Sequence, residues 1–260
     1  MFTGLSAFPL TPMNEHGIQE REFIHLVEHL AAAGVDSIGV LGSTGNYAYL
    51  SVAERARVAS LSVENAGTVP VVVGIGALRT RDVLANAERA QQAGASGLLL
   101  APVSYQKLTD DEVYDLYATV SRSLSVPLCV YDNPGTTHFD FSDELHGRIA
   151  QLPQVRSIKI PPVVNDIEKA RERVVRLRAL IPSEVTIGIS GDPAAATGLN
   201  AGCDAWYSVI GGLYPRTALA LTGKVSQPCL PQPLKALQGD DRKRVEQVVA
   251  QLDLAAAFRA

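Results

Sequence analysis

The sequence predicts an α/β protein of the (β/α)8 barrel, or TIM-barrel, class with a short C-terminal helical extension. Eight short apolar runs alternate along the chain with eight longer amphipathic stretches. A repeated Ala-Gly phrase separates three of the helices from the strands that follow them. Repeated βα units favour a parallel sheet, and eight of them close a barrel. We therefore assign residues 1–224 to the barrel and residues 225–260 to a shortened helical segment.

The apolar runs give the eight strands, which are expected at Leu5–Phe8, Ser37–Leu41, Val71–Gly74, Gly97–Leu100, Pro127–Tyr131, Val155–Lys159, Thr186–Ser190 and Ala205–Val209. Helices are expected near 20–33, 51–66, 80–93, 109–124, 142–151, 165–180, 193–201 and 216–224. Ser51, Thr109 and Ser142 stand where N-caps are needed, and Glu54 and Glu112 complete capping boxes with the first two. Gly34, Gly94 and Gly202 follow Ala at helix ends, where glycine readily adopts the left-handed conformation.

An open, doubly wound sheet is the alternative fold. Its strands would be covered by helices on both sides and should be apolar on both faces. Several strands here instead have one small or polar face, since side chains alternate along a strand. These faces are Val155, Ser157 and Lys159; Thr186, Gly188 and Ser190; and Cys129 and Tyr131. Such a face suits the interior of a barrel, which favours the closed form.

Composition excludes several classes of function. The net charge is −4 with no basic cluster, so we expect no nucleic-acid partner. No apolar run is long enough to cross a membrane, and the N-terminus lacks the pattern of a signal peptide. Three scattered cysteines fit a reducing compartment, so a cytoplasmic location is predicted. No metal-ligand spacing occurs, and we expect neither a metal nor an organic cofactor.

Lys159 is the first candidate catalytic residue. It alone among the six lysines ends an apolar strand. A residue at the C-terminal end of a barrel strand faces the active-site mouth, and burial lowers the pKa of an amine. A neutral amine there could form an imine with a ketone. The ordinary alternative is a salt-bridged lysine, or one that extends to solvent.

Tyr131 and the turn Gly42-Ser43-Thr44-Gly45 are candidates that support this chemistry. Tyr131 ends the preceding strand, where its phenol could pass protons to a substrate. The two glycines allow backbone N–H groups to converge on a carboxylate. Each has an ordinary alternative, a core tyrosine for the first and a plain loop for the second.

Together these motifs resemble the dihydrodipicolinate synthase / N-acetylneuraminate lyase family of class I aldolases. The matching phrases cover residues 1–225 in order: Thr3-Gly4 to Thr11-Pro12, Gly42 to Gly45, Pro102 to Tyr105, Tyr131 to Pro134, Ile158-Lys159, Ser190-Gly191-Asp192, and Gly202 to Pro215. The resemblance implies that Lys159 forms the Schiff base and that Tyr131 and Thr44 relay protons. Tyr105 resembles a tyrosine that relatives lend across a subunit interface, which implies a homo-oligomer, a dimer or a tetramer.

The resemblance also implies a set of substrate-binding residues: Ser43, Thr44, Gly45, Thr136, Ser190, Asp192 and Ser208. Asp192 has a second interpretation, as the cap of the helix near Pro193. Thr136 stands where the synthases have an arginine, and Asn46, Ile160 and Pro193 replace acidic residues of relatives. An arginine fork suits a second carboxylate, and threonine cannot replace it.

We therefore predict a Schiff-base lyase or aldolase that acts on pyruvate or a related 2-oxo acid and an aldehyde, by aldol addition, cleavage or dehydration. One alternative is dihydrodipicolinate synthase itself, which uses pyruvate and aspartate semialdehyde. Another is an inactive 2-oxo acid binding or regulatory protein on the same scaffold. A phosphate-binding or flavin barrel is a third, with 208–212 as a faint candidate for its phosphate cradle.

Overall fold

The computed structural model describes residues 1–224, and the predicted C-terminal segment lies outside them. We label the barrel strands β1 (Gly4–Ala7), β2 (Ser37–Val40), β3 (Val71–Gly74), β4 (Gly97–Leu100), β5 (Leu128–Tyr131), β6 (Val155–Ile160), β7 (Thr186–Ser190) and β8 (Ala205–Ser208). The helices are α1 (Glu20–Ala33), α2 (Val52–Asn65), α3 (Thr80–Gln92), α4 (Asp110–Ser121), α5 (Pro134–Thr137), α6 (Asp143–Ala150), α7 (Ile167–Leu180), α8 (Ala195–Asn200) and α9 (Pro215–Lys224).

The eight strands form one closed, parallel barrel. Each pairs with its neighbours in chain order, and β1 completes the ring by pairing with both β2 and β8. Closure aligns Gly4 with Ala205 at one seam and Ser6 with Ser37 at the other. The predicted (β/α)8 barrel is confirmed, and the open-sheet alternative is wrong.

Local signals in the sequence account for the helix ends. Ser51 and Thr109 each accept a hydrogen bond from the backbone N–H three residues on, and Glu54 and Glu112 bond back, so both capping boxes form. The Ser142 side chain accepts from Leu145 N at the start of α6. At the helix ends, Gly34, Gly94 and Gly202 have φ values of 73°, 89° and 108°. A residue with a Cβ would be strained there, which explains the repeated Ala-Gly phrase.

The core has two layers, divided by the barrel wall. The outer layer joins the helices to the outward faces of the strands, as in α1, where Phe23, Val27 and Leu30 are completely buried. Each such side chain contributes about 1.5–3 kcal/mol through burial. The inner layer fills the barrel with a separate cluster: Phe2, Phe8, Val72, Leu99, Ala101, Cys129, Tyr131, Ala205 and Tyr207. Because this layer carries the candidate residues, the site lies on a packed interior rather than over an open pore.

Three features depart from the prediction. The register shifts between Leu128 and Cys129, so Val155 joins the outer layer instead of sharing the inward face of Ser157. A one-turn helix, α5, follows Tyr131, and a small hairpin of Met13–Asn14 and Gly17–Ile18 precedes α1.

Among the described residues, no helix is both long and apolar enough to pass through a bilayer.

Candidate active site

Lys159 lies near the end of β6 with its side chain inside the barrel. It is 5% exposed, and its Nζ atom lies against three aromatic rings. The distances to the ring centres are 3.9 Å for Phe8, 4.2 Å for Tyr131 and 5.3 Å for Tyr207. The amine thus has an apolar, aromatic environment, as the strand pattern predicted.

Burial sets the protonation of this amine. It lowers the pKa of Lys159 from 10.5 to about 8, while the weaker influences of Cys129 and Asp192 act in the opposite direction. Aromatic faces attract an ammonium ion, by about 2 kcal/mol in a dry site, yet they do not replace its water ligands. Within residues 1–224, Lys159 Nζ makes no hydrogen bond or ion pair that would stabilise its charged form. With a pKa of about 8, about a tenth of the amine is therefore neutral at pH 7.

Below the amine, polar side chains form a connected chain across the barrel. The Tyr207 hydroxyl lies 2.7 Å from Ser157 Oγ, and Thr186 Oγ1 donates to Ser157 Oγ at 2.9 Å. Cys129 Sγ lies 3.5 Å from the Tyr207 hydroxyl. These bonds fix the Tyr207 ring beneath Lys159, because its one hydroxyl is anchored to Ser157 of β6, two strands away from β8.

Sequence reasoning missed Phe8 and Tyr207 as walls of this pocket. The signal that could have found them is glycine inside two strands. A Cβ on Gly39 would lie 2.3 Å from the Phe8 ring, and one on Gly188 would lie 2.1 Å from the Tyr207 ring. Glycine within a strand often marks such a close approach.

Tyr131 lies directly beside Lys159. The two residues are partners in the β5–β6 register, which places both side chains on the inner face at the same height. Burial raises the pKa of the Tyr131 phenol, and the nearby Ser43 side chain partly offsets this. The phenol oxygen accepts a hydrogen bond of 3.0 Å from Asn133 Nδ2. The predicted proximity of the lysine and the tyrosine is present in the fold.

The Gly42–Gly45 turn follows β2 at the same end of the barrel. Two of its bonds are internal, from Gly45 N to Gly42 O at 3.0 Å and from Asn46 N to Ser43 O at 3.2 Å. The N–H groups of Ser43 and Thr44 have no acceptor within residues 1–224. Two free adjacent amides make a suitable cradle for a carboxylate.

Backbone strain accompanies this turn. Leu41 and Asn46, which flank it, have φ values of 57° and 55°. Asparagine tolerates that conformation, whereas leucine does so at a cost of order 1 kcal/mol. A Cβ on Gly74 would meet the Leu41 carbonyl oxygen at 1.9 Å, so this neighbouring glycine gives the carbonyl its space. The fold thus holds the turn in a shape that a free chain would seldom adopt.

The other predicted site residues have varied surroundings. Thr44 is half-buried, and its hydroxyl makes no hydrogen bond in the described part of the chain. Thr136 lies in α5, where its Oγ1 accepts from Asn133 Nδ2 at 2.6 Å. Ser190 Oγ donates to the Ile160 carbonyl at 2.7 Å. The participation of all three in substrate binding or proton relay stays a prediction.

Asp192 has a role that neither sequence interpretation foresaw. Its side chain caps neither the short 3-10 helix Asp192–Ala194 nor α8, so the capping interpretation is wrong. Instead, the carboxylate accepts four hydrogen bonds of 2.8–3.2 Å, from Trp206 Nε1, Ser208 Oγ, Val209 N and Ile210 N. Ser208, fully buried, also accepts from Gly211 N at 2.8 Å. Asp192 thereby ties the loop after β7 to the end of β8.

Tyr105 takes no part in the pocket around Lys159. It lies on the loop between β4 and α4 and is 91% exposed. A ring so fully exposed is available to another molecule and not to its own barrel. Its predicted contribution across a subunit interface stays a prediction.

A buried acid and a buried histidine stand directly behind the site. Asp132 Oδ2 lies 3.5 Å from His146 Nε2, and the His146 ring stacks on Phe141. Burial raises the pKa of Asp132 to about 7 and lowers that of His146 to about 4. Asp132 N also donates to the Lys159 carbonyl at 3.0 Å, which joins this pair to the lysine's strand. No cluster of His, Cys, Asp or Glu suited to a metal ion occurs among the first 224 residues.

The chain is similar to known proteins in both sequence and fold. The model of the dihydrodipicolinate synthetase family matches residues 1–227. The 4-hydroxy-tetrahydrodipicolinate synthase of Hyphomonas neptunium is 31% identical over 227 residues, which are 85% of this chain and 74% of that protein. The same enzyme of Thioalkalivibrio sulfidiphilus is 28% identical over 256 residues, 98% of this chain and 81% of that protein. A crystal structure of dihydrodipicolinate synthase from Agrobacterium tumefaciens superposes with a TM-score of 0.85 and 37% identity, covering 97% of this chain and 98% of that one.

Proposed function

Because the chain belongs to the dihydrodipicolinate synthetase family, we propose that Lys159 binds pyruvate or a related 2-oxo acid as a Schiff base. The chain is a lyase of the class I aldolase type, which makes and breaks bonds next to a lysine-bound carbonyl carbon. Under this proposal the reaction is an aldol addition, an aldol cleavage or a dehydration. An inactive binding protein is the rival that the experiment below must exclude.

One observation carries the proposal, namely the pairing of Lys159 with Tyr131 in a dry pocket. The amine lies 4.2 Å from the centre of the Tyr131 ring, and burial lowers its pKa to about 8. A lysine nucleophile must lose its proton before it attacks a ketone, so a depressed pKa favours this chemistry. A phenol beside it supplies the acid and base that imine chemistry requires.

The steps follow from the positions of these groups. The substrate carboxylate lies on the amides of Ser43 and Thr44, and the neutral Lys159 amine adds to C2 to give a carbinolamine. The nitrogen lone pair then forms the C=N bond while the hydroxyl leaves with the Tyr131 proton as water. The resulting phenolate takes a proton from C3, and the C–H electron pair moves into the iminium to give an enamine. The Thr44 hydroxyl is the next member of the proton relay after the Tyr131 phenol. These steps require no organic cofactor or metal.

The nature of the second substrate follows from Thr136. This position bears a neutral hydroxyl, paired with Asn133 at 2.6 Å, where a carboxylate-bearing aldehyde would require a cation. We propose a neutral, hydroxylated aldehyde or a sugar-derived 2-oxo acid. The names of the relatives favour a second candidate, the condensation of pyruvate with aspartate semialdehyde. A direct comparison of glyceraldehyde with aspartate semialdehyde as acceptors distinguishes the two.

Location and assembly belong to the same proposal. Cys129 and Cys203 are unpaired and buried, which is consistent with work in the cytoplasm. The exposure of Tyr105 is consistent with a homo-oligomer, a dimer or a tetramer, in which that ring contacts a second copy. Sedimentation of the full chain tests the assembly.

Reduction with borohydride in the presence of pyruvate tests the function. We expect a single reduced adduct, located on Lys159 by mass spectrometry of peptides. Lys159→Ala should lose it, while Lys169→Ala, which removes an exposed lysine of α7, should keep it. An adduct without exchange of the C3 protons into deuterated water would support the inactive binding protein. Failure to trap any 2-oxo acid from a broad panel would refute the proposal.

A further inference from the structure

Asn133 lies at the centre of the hydroxyl groups that surround the pocket. Its Nδ2 atom is 3.0 Å from the Tyr131 phenol oxygen, 3.3 Å from Ser43 Oγ and 2.6 Å from Thr136 Oγ1. These partners come from the end of β5, the turn after β2 and helix α5. One carboxamide therefore connects three separate parts of the mouth.

We propose that Asn133 is a positioning residue that holds the Tyr131 phenol for proton transfer and stabilises the phenolate formed between imine closure and C3 deprotonation. This inference rests on the function proposed above and adds to it a residue that acts on the substrate only through Tyr131.

The direction of the hydrogen bond carries the argument. A carboxamide nitrogen only donates, and its two hydrogens are shared among three oxygens, of which the phenol oxygen accepts at 3.0 Å. The phenol keeps its own O–H for another acceptor, although the Ser43 side chain is also close enough to influence it. With its oxygen fixed by Asn133, the phenol has its O–H available for a substrate bound to Lys159.

The need for such a donor follows from burial. The phenol is 9% exposed, and loss of water raises its pKa, so a phenolate here is costly. A hydrogen bond to the charged form of a group favours that form. Asn133 Nδ2 donates to that oxygen at 3.0 Å, and the Ser43 side chain also favours the charged form. Removal of the amide should therefore slow steps through the phenolate. The carboxylate cradle loses the contact to Ser43 Oγ but keeps its backbone N–H groups.

The test measures exchange of pyruvate C3 protons into deuterated water by NMR, beside the borohydride adduct. For Asn133→Leu we expect the exchange rate to fall about 10- to 100-fold, the effect of one lost bond to a charged group. The half-saturating pyruvate concentration should stay within about threefold, and the final adduct yield should be unchanged. The rise of the rate with pH should move to higher pH, which a merely structural defect would not cause.

Three further variants make the test decisive. Asn133→Ala should repeat the loss with less steric change, and thermal unfolding verifies that both variants are folded. Asn65→Leu removes a similar asparagine, whose side chain donates to the Leu61 carbonyl in α2, and should exchange at the wild-type rate. Asn133→Asp replaces the donor with an acceptor and should be at least as slow as Asn133→Leu.

The outcomes separate the two proposals. A wild-type protein that forms no adduct refutes the proposed function and this inference with it. A wild-type adduct together with unimpaired exchange in Asn133→Leu overturns the inference alone. Wild-type exchange in Asn133→Asp would also overturn it, because the phenol would then be a donor to this side chain.

Discussion

Replacement of Lys159 by methionine should make the protein more stable, because the fold places a charged amine in a pocket that does not solvate it. Methionine has nearly the same length and needs no water. The difference between 10.5 and about 8, at ~1.36 kcal/mol for each pKa unit, gives a penalty of about 3 kcal/mol for the charged amine. At pH 7 we expect Lys159→Met to raise the free energy of unfolding by this amount while it abolishes imine formation.

The pH dependence of the gain identifies its origin. Below pH 8 the amine is charged in both the folded and the unfolded chain, and the full penalty applies. Between pH 8 and 10.5 the folded protein releases the proton while the unfolded chain retains it, so the stability of the wild type rises with pH. The advantage of Lys159→Met should therefore shrink to about 1.4 kcal/mol at pH 9.5 and vanish near pH 10.5.

Urea unfolding followed by far-ultraviolet circular dichroism at pH 7 and pH 9.5 measures both quantities. Lys169→Met is the matched control, because that side chain is 71% exposed and its ion pair with Asp166 is long, at 3.7 Å. We expect it to change stability by less than about 0.5 kcal/mol at either pH. A gain for Lys159→Met that is absent, or that is the same at both pH values, would refute the argument from desolvation.

Three other changes test the surroundings of the pocket. Gly188→Ala should cost about 1–3 kcal/mol of stability, because its Cβ would lie 2.1 Å from the anchored Tyr207 ring; an unchanged urea midpoint would contradict this. Asp192→Asn should cost about 1–3 kcal/mol and loosen the end of β8, since the carboxylate accepts four hydrogen bonds; amide hydrogen exchange at 206–210 should rise, and unaltered protection would count against it. In the wild type, the contributions of His146 and Asp132 to stability should nearly cancel between pH 4 and 7, because the lowered pKa of His146 makes stability rise with pH and the raised pKa of Asp132 makes it fall. His146→Phe removes the first effect, so stability should then fall with rising pH by up to ~1.4 kcal/mol per pH unit, and a flat profile would disprove this assignment.

The barrel was predictable because its signals are local. Apolar runs, caps such as Ser51 with Glu54, and the Gly34 turn depend only on nearby residues, and the fold contains each of them. The inward direction of Lys159 followed from strand alternation. The shifted register beside Arg156 did not, because it depends on how β5 and β6 fit together. Alternation alone therefore placed Val155 on the wrong face.

The pocket was predictable only in part, because its walls come from residues far apart in the chain. Phe8 and Tyr207 come together around Lys159 only once β1 and β8 have closed the ring, and no local pattern identifies them as partners. The bonds of Asp192 to residues 206–210 likewise depend on the relative placement of two loops. Asn133 drew no attention for the same reason, since its contact with Ser43 spans 90 positions.

The seam between the first and last strands has a consequence for the order in which the molecule matures during synthesis. Lys159 and Tyr131 leave the ribosome before the segment that contains Tyr207, which forms the third aromatic wall, and before the partners of Asp192. Until β8 pairs with Gly4–Ala7, the Lys159 amine stays exposed to water, and its pKa stays near the value of a free lysine. A nascent chain thus contains Lys159 before the burial that lowers its pKa is complete. We expect the amine to react with 2-oxo acids only after the barrel has closed.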